Sequence, residues 1–308
     1  MPPQDIFISE VVLRDGLQLI ETILTPVMKM QIFDLLYAAG IRSFDITSFV
    51  PSARFPQYAD ATELVAHGRT RPDVFISAFA PNARGAERAI AAGVDSVSFV
   101  VSASVSHNIA NVRTTPNEQM EAAAALRISM ASAERPTQLV LAIATAFGCS
   151  IEGRVDPASV FKLAEQAREI GADEICLSDT VGYASPAQVK DIVAGVRAVA
   201  GSDIPLRIHL HDTTGTGMAC AYAALEAGIT RFDAALGGLG GCPFAPGASG
   251  NISTEDLVYM METSGLRTEI NLEALLVATK ALDAILPHDP KPSHIFRSGI
   301  PKAYGMRA

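Results

Sequence analysis

The chain has 308 residues, 49% of them hydrophobic and 19% charged, the profile of a globular protein with a large core. Its formal net charge of −9 argues against a general nucleic-acid or polyanion binder. An anionic substrate therefore needs local cationic help, from a metal ion or from a few placed arginines.

The dominant pattern is a short apolar, β-branched run followed by an amphipathic, alanine-rich stretch, repeated along the chain. Ile6 to Leu13 reads as a first strand. Thr25-Pro26 starts a helix with a good cap and a proline in its first turn, and Gly40 stops it. Arg42–Thr47 and Val74–Phe79 are the second and third strands, a helix covers about 83–92, and Ser96–Val101 is the fourth strand. A polar segment, Ser102 to Pro116, precedes a long alanine-rich helix. Gln138–Thr145 is the fifth strand, Asp156-Pro157 caps a helix that Gly171 ends, and Glu174–Leu177 is the sixth. Ser185-Pro186 opens another helix, Leu206–His211 is the seventh strand and Phe232–Ala235 the eighth. Thr254–Thr263 and Leu272–Ile285 are expected helices, and the tail from Pro287 reads as irregular.

About eight alternating strand and helix units imply a parallel sheet closed into a (β/α)₈ TIM barrel. One catalytic domain over 1–308 is expected, with a barrel core to about 250 and C-terminal helices after it. The strands read as near-continuous apolar runs, as in a sheet covered on both faces. An open doubly wound sheet is disfavoured because no Gly-x-Gly-x-x-Gly follows the first strand.

No run approaches the ~20 unbroken apolar residues of a membrane span. The start of the chain lacks a basic-then-apolar leader. Cys149, Cys176, Cys220 and Cys242 are dispersed without CxxC spacing, so reduced cytoplasmic thiols are expected, not disulfides or a structural zinc site.

Barrel active sites lie at the C-terminal ends of the strands, and the unusual polar residues fall there. Arg14-Asp15 follows the first strand, Asp45 and Thr47 end the second, Ser178-Asp179-Thr180 the sixth, and His209 and His211 the seventh. Histidines two apart on a strand share a face. Two imidazoles beside the Asp15 carboxylate, with the Asn251 amide as a further donor, make a mixed O/N site. Such a set suits an octahedral divalent cation, Mg²⁺ or Mn²⁺, with Co²⁺ or Zn²⁺ as alternatives. Arg14 could hold a developing enolate oxygen or simply form an ion pair under the rim. The stretch 237–251 is too rich in glycine and proline for helix or strand, and carries one thiol, Cys242. That thiol could donate a proton to a carbanion or be a small buried hydrophobe. His107 could touch a ligand or lie exposed in a loop; His67, His288 and His294 belong to no constellation.

Val12-Leu-Arg-Asp-Gly-Leu-Gln18, Thr47-Ser-Phe-Val50, Leu177-Ser-Asp-Thr-Val-Gly182, His209-Leu-His-Asp-Thr213 and the run Gly238 to Asn251 resemble the hydroxymethylglutaryl-CoA lyase family, in order, to about Ala281. The cysteine-containing glycine loop is the most specific of these motifs. Arg-Asp-Gly and His-x-His mark only the wider superfamily of metal-dependent barrel lyases and Claisen-type synthases. The resemblance implies a metal held by Asp15, His209, His211 and Asn251. It implies Arg14 on the thioester enolate and acid–base roles for Asp179 and Cys242. Gln18, Thr47 and Thr180 within these motifs, and Asp45 just before one of them, are the expected substrate contacts. The implied reaction cleaves a tertiary 3-hydroxyacyl-CoA to acetyl-CoA and a keto acid such as acetoacetate, and a homodimer is implied.

Leu19-Ile20 replaces the Asn-Glu pair usual after Leu-Gln, Asp45 replaces a glutamate, and Val105 to Asn111 lacks the lysines of many members. These departures suggest a different acyl half and fewer partners for CoA phosphates. The rival readings are a Claisen-type synthase, an aldolase on a 4-hydroxy-2-oxo acid, and a non-catalytic barrel scaffold. The first two are disfavoured by the Cys242 loop, the third by the intact polar set. No membrane or nucleic-acid partner is expected.

Overall fold

A computed structural model describes residues 5–131, 135–241 and 250–304. The strands β1 (Phe7–Glu10), β2 (Ser43–Ser48), β3 (Phe75–Ala80), β4 (Ser96–Ser102), β5 (Gln138–Ala144), β6 (Glu174–Asp179), β7 (Leu206–Leu210) and β8 (Arg231–Ala234) run parallel in chain order. β8 returns to pair with β1, closing the barrel.

The surrounding helices are α1 (Pro26–Ala38), α2 (Ala61–Gly68), α3 (Ala83–Ala92), α4 (Val105–Val112), α5 (Pro116–Met130), α6 (Pro157–Glu169), α7 (Pro186–Ala200) and α8 (Gly217–Glu226). They continue as α9 (Thr254–Thr263), α10 (Leu272–Ile285) and α11 (His294–Ser298). The caps explain where several begin. Thr25 accepts from the Met28 amide at 3.3 Å, Asp156 from Ala158 at 3.0 Å and Ser185 from Gln188 at 3.3 Å. Each is followed by a proline whose missing N–H would have had no partner in a first turn.

α9 is the helix that follows β8, so the ring extends beyond residue 250. α10 then packs on α1, and the Asn271 amide donates to the Ala39 carbonyl at 2.7 Å. Leu272 and Leu275 are buried there, so α10 covers the barrel with its leucines.

The strands are less uniformly apolar than their sequence suggests, for a physical reason. Val97, Phe99 and Val101 of β4, Ile175 and Leu177 of β6, and Ile208 and Leu210 of β7 face the helices and form the main core. Their alternates face inward and mix polar with apolar side chains: Ser98, Ser178, His209 and Asp233 border an internal cavity together with Val100 and Cys176. Val140, Ala142 and Cys176 make a small separate apolar cluster. The hydrophobic driving force thus resides in the shell between sheet and helices, at roughly 1.5–3 kcal/mol per buried large side chain, and the interior is released for chemistry.

Two segments differ from expectation. The first strand stops at Glu10 rather than Leu13, and a π turn, Val12–Gly16, follows. Part of the 102–116 segment folds as α4, capped by Ser104, whose Oγ accepts from the His107 amide at 3.1 Å. The tail after Pro287 contains the short α11, anchored where Asp256 accepts from Ser293 Oγ at 3.0 Å and from the His294 and Ile295 amides.

Candidate active site

The π turn places Arg14 and Asp15. Gly16 N and Leu17 N donate five residues back, to Val11 O at 3.2 Å and Val12 O at 2.9 Å. Glu10 fixes the turn to the other end of the chain. Its Oε1 accepts from Val12 N and Leu236 N, each at 2.9 Å, and its Oε2 accepts from Thr254 Oγ1 at 2.7 Å. Burial pushes the Glu10 carboxyl up to about 7, against the pull of those three bonds. On the other flank, Tyr58 Oη donates to Arg14 O at 2.5 Å and Gln57 Nε2 donates to Ile20 O.

Asp15, His209 and His211 meet at the rim, all buried. His211 Nε2 lies 3.3 Å and His209 Nε2 4.0 Å from Asp15 Oδ2, and the two Nε2 atoms are 3.1 Å apart. Asn251, bridged to His211 by backbone pairing, directs Nδ2 to Asp15 Oδ2 at 2.8 Å and to Leu239 O at 3.1 Å. Asn251 Oδ1 and His211 Nδ1 are buried with no hydrogen-bond partner among the described residues. Buried polar atoms are rarely left so, and a convergence of carboxylate and imidazole donors beside an unsatisfied amide oxygen fits a divalent cation. Glycine is required next to it. A Cβ on Gly240, at φ +146°, would lie 2.5 Å from Asn251 Nδ2.

Arg14 is gripped from two sides, by Asp45 Oδ2 on Nε at 2.6 Å and by Asp15 Oδ1 on Nη1. Its guanidinium carbon sits 5.3 Å from the centre of the Phe79 ring. Burial opposes its charge, but Asp45 and Asp15 outweigh that and hold it protonated. Burial likewise opposes ionisation of Asp15, yet Arg14 and the two imidazoles keep its carboxyl well below the usual carboxylate range.

Arg14, Asp15, His209 and His211 line a cavity of about 660 Å³, a size suited to a small-molecule ligand, while Asn251 is outside the lining. Gln18 and Thr180 also line it; Thr180 Oγ1 accepts from Thr145 N at 2.8 Å. Asp45 and Thr47 are buried but outside the lining, and Asp45 reaches the cavity through Arg14. Asp179 also lies outside it. Strand alternation turns Ser178 and Thr180 inward, and the Asp179 carboxylate accepts from the Tyr183 and Ala184 amides, each at 3.0 Å. Burial pushes that carboxyl up against the pull of those amides. Cys242 lies outside the described residues, but Gly241, which precedes it, is part of the cavity wall. Leu19 and Ile20 do not line the cavity; Leu19 is exposed beside Gly241 and Ile20 is buried.

The HMGL-like family model matches residues 5–282. The chain belongs to this family. The (R)-citramalyl-CoA lyase of Chloroflexus aurantiacus is 40% identical over 304 residues, 95% of this chain and 94% of that protein. The hydroxymethylglutaryl-CoA lyase YngG of Bacillus subtilis is 36% identical over 91% and 93% of the two chains. The structure of an HMG-CoA lyase from Acinetobacter baumannii, in complex with coenzyme A and 3-methylmalate, matches with a TM-score of 0.89 at 38% identity, covering 96% of each chain. This protein is a lyase.

Several residues of the lyase cavity escape a motif-based reading. Asp233, at the floor, lies in register with His209 on the neighbouring strand. His107 is buried in the wall with Nδ1 2.8 Å from Ser102 Oγ, and burial lowers its pKa to about 4, leaving it neutral. Arg54 and Arg113 are exposed and line the cavity without a carboxylate partner among the described residues. Of these, the sequence marks His107 as a ligand contact or an exposed loop residue, and Asp233 carries the signal of an alternating strand.

Proposed function

We propose that this protein is a divalent-metal-dependent carbon–carbon lyase that cleaves a tertiary 3-hydroxyacyl-CoA, hydroxymethylglutaryl-CoA or the shorter citramalyl-CoA, to acetyl-CoA and a keto acid. The observation that carries this reading is the buried Asp15–His209–His211 convergence beside Arg14 at the barrel rim. Asp15, His209, His211 and Asn251 would hold Mg²⁺ or Mn²⁺, with Co²⁺ or Zn²⁺ as alternatives, and the bound cation supplies Lewis acidity toward the substrate's hydroxyl and carboxylate oxygens.

Arg14 has the complementary task. Its Nε and Nη1 are spent on Asp45 and Asp15, which leaves Nη2 for the thioester oxygen that becomes anionic when the Cα–Cβ bond breaks. The hydroxyl gives its proton to water in the cavity as its carbon becomes a ketone, and the bonding pair passes to the acetyl-CoA enolate. Cys242, next in the chain after Gly241 of the cavity wall, is the proposed donor of the proton that quenches Cα, and one proton from that water later restores its thiol. Asp179 contributes by fixing the 180–184 turn and with it Thr180. Gln18 and Thr180 are the proposed direct polar contacts to substrate, while Asp45 acts through Arg14 and Thr47 from behind the wall.

Arg54 and Arg113 supply cations for CoA phosphates in a chain whose 105–111 segment carries no lysine. Small side chains, Ser98, Ala142, Ala144 and Ser178, leave space for a methyl-branched diacid. A cytoplasmic homodimer is the proposed setting. Cys149, Cys176 and Cys220 are free and buried, and no helix among the described residues is long and apolar enough to cross a membrane.

Acetyl-CoA release from a panel of hydroxymethylglutaryl-CoA, citramalyl-CoA and larger 3-hydroxyacyl-CoAs tests this function. Metal-dependent turnover of one member supports it. Silence across the panel with Mn²⁺ bound contradicts it and favours an aldolase or a scaffold.

A further inference from the structure

We infer that Asp233 is a positioning residue for the cation site, presenting His209 in one tautomer and one ring orientation before any cation arrives. The inference rests on the metal-site reading above. Asp233 and His209 are register partners on β8 and β7, and both side chains point into the barrel. Asp233 Oδ2 is 3.2 Å from His209 Nδ1. An ionised carboxylate only accepts, so Nδ1 carries the hydrogen and the lone pair of Nε2 faces Asp15 and His211.

Asp233 is itself held in place. Its Oδ1 is 3.4 Å from Arg207 Nη1, Arg207 Nε donates to Glu174 Oε1, and Glu174 Oε2 is 3.3 Å from Arg231 Nη1. Cys176 Sγ donates weakly to Oδ2 at 3.9 Å. Inward positions of β6, β7 and β8 thus form one connected row, Arg231–Glu174–Arg207–Asp233–His209, that ends on a proposed ligand. The two imidazoles are consequently unequal. His211 Nδ1 has no partner among the described residues and its ring is set only from the site side, through Nε2 on Asp15 and His209, whereas His209 is also held from behind by Asp233. A plain ion pair with Arg207 would need only Oδ1. The second oxygen, on the imidazole, is what the positioning role explains.

Mn²⁺ binding to chelator-treated protein, read from the EPR signal of free Mn²⁺, separates the two. Asp233→Ala is expected to weaken binding by about 10–100-fold. Asp233→Asn, which keeps an acceptor oxygen, is expected to lose less. Arg207→Lys, which alters the ion pair but leaves the imidazole contact, is expected to lose least. Imidazole ¹⁵N spectra of the cation-free wild type should show His209 as the Nδ1–H tautomer, and that signature should blur in Asp233→Asn even if Asp233→Ala fails to fold. Wild-type binding with both Asp233 variants within about twofold of it would overturn the positioning role alone. A loss in Arg207→Lys as large as in Asp233→Ala would also overturn it. A wild type that binds no Mn²⁺ would remove the metal-site reading and this inference together.

Discussion

At the floor of the barrel interior, Glu174 engages Arg207 and Arg231, and Asp233 takes the remaining side of Arg207. At the rim, Asp15 and Asp45 share Arg14 while two imidazoles crowd one carboxylate oxygen, and among the described residues Asn251 Oδ1, His211 Nδ1 and Asp45 Oδ1 are left unsatisfied. Both regions bury several charges, but the floor balances its charges internally and the rim does not. Unpaired buried polar atoms cost stability, so a fold keeps them where a ligand will complete the set. Substitutions at the rim should therefore damage turnover more than folding, and those at the floor the reverse.

The largest effect is expected at the rim. Arg14→Met should lower kcat by about 10²–10³-fold, the loss typical of a missing oxyanion donor, with a smaller change in Tm. A large fall in Tm at preserved kcat would place Arg14 on the structural side. At the floor, Glu174→Ala leaves Arg207 buried with one weak partner, and a loss of about 3–5 kcal/mol in denaturant unfolding is expected. Full stability in that variant would show that the floor is not a self-balanced cluster.

Glu10, which anchors the turn carrying Arg14 and Asp15, tests the comparison by pH. Its carboxyl titrates near 4.5 in the unfolded chain and about 7 in the folded one, so the folded state binds the proton more tightly between those values. Its contribution is full below pH 4.5 and is lost as pH rises toward 7, a swing of roughly 3 kcal/mol. Glu10→Gln should remove that fall, seen as a flatter stability profile than wild type between pH 4.5 and 8. Parallel profiles would contradict it. The smallest effects belong to the exposed cations. Arg54→Ala and Arg113→Ala should each raise KM for the CoA ester several-fold at unchanged kcat, and more so at low salt. Equal KM values would assign the phosphates to other groups.

Much of this arrangement could be read from local pattern. Caps such as Thr25, Asp156 and Ser185 act within three residues, and the i, i+2 spacing of His209 and His211 already places both rings on one face. The strand-end rule then brings Asp15 to them. What resisted reading depends on distant partners. Val11-Val12-Leu13 is a strand by composition, but Glu10 ties its continuation to Leu236 and Thr254, and the chain folds into a π turn that aims Arg14 and Asp15. Asp179 shares a motif with Ser178 and Thr180, yet alternation along β6 gives it the opposite face. Asp233 looks like one more strand residue until β7 and β8 are set in register.

The most direct test of the central claim is acetyl-CoA release by chelator-treated protein, measured before and after stoichiometric Mn²⁺ is restored, with hydroxymethylglutaryl-CoA and citramalyl-CoA as substrates. Turnover lost with the cation and regained on its return is the predicted result. Cleavage at full rate in the chelator-treated protein would show that Asp15, His209 and His211 do not work through a metal.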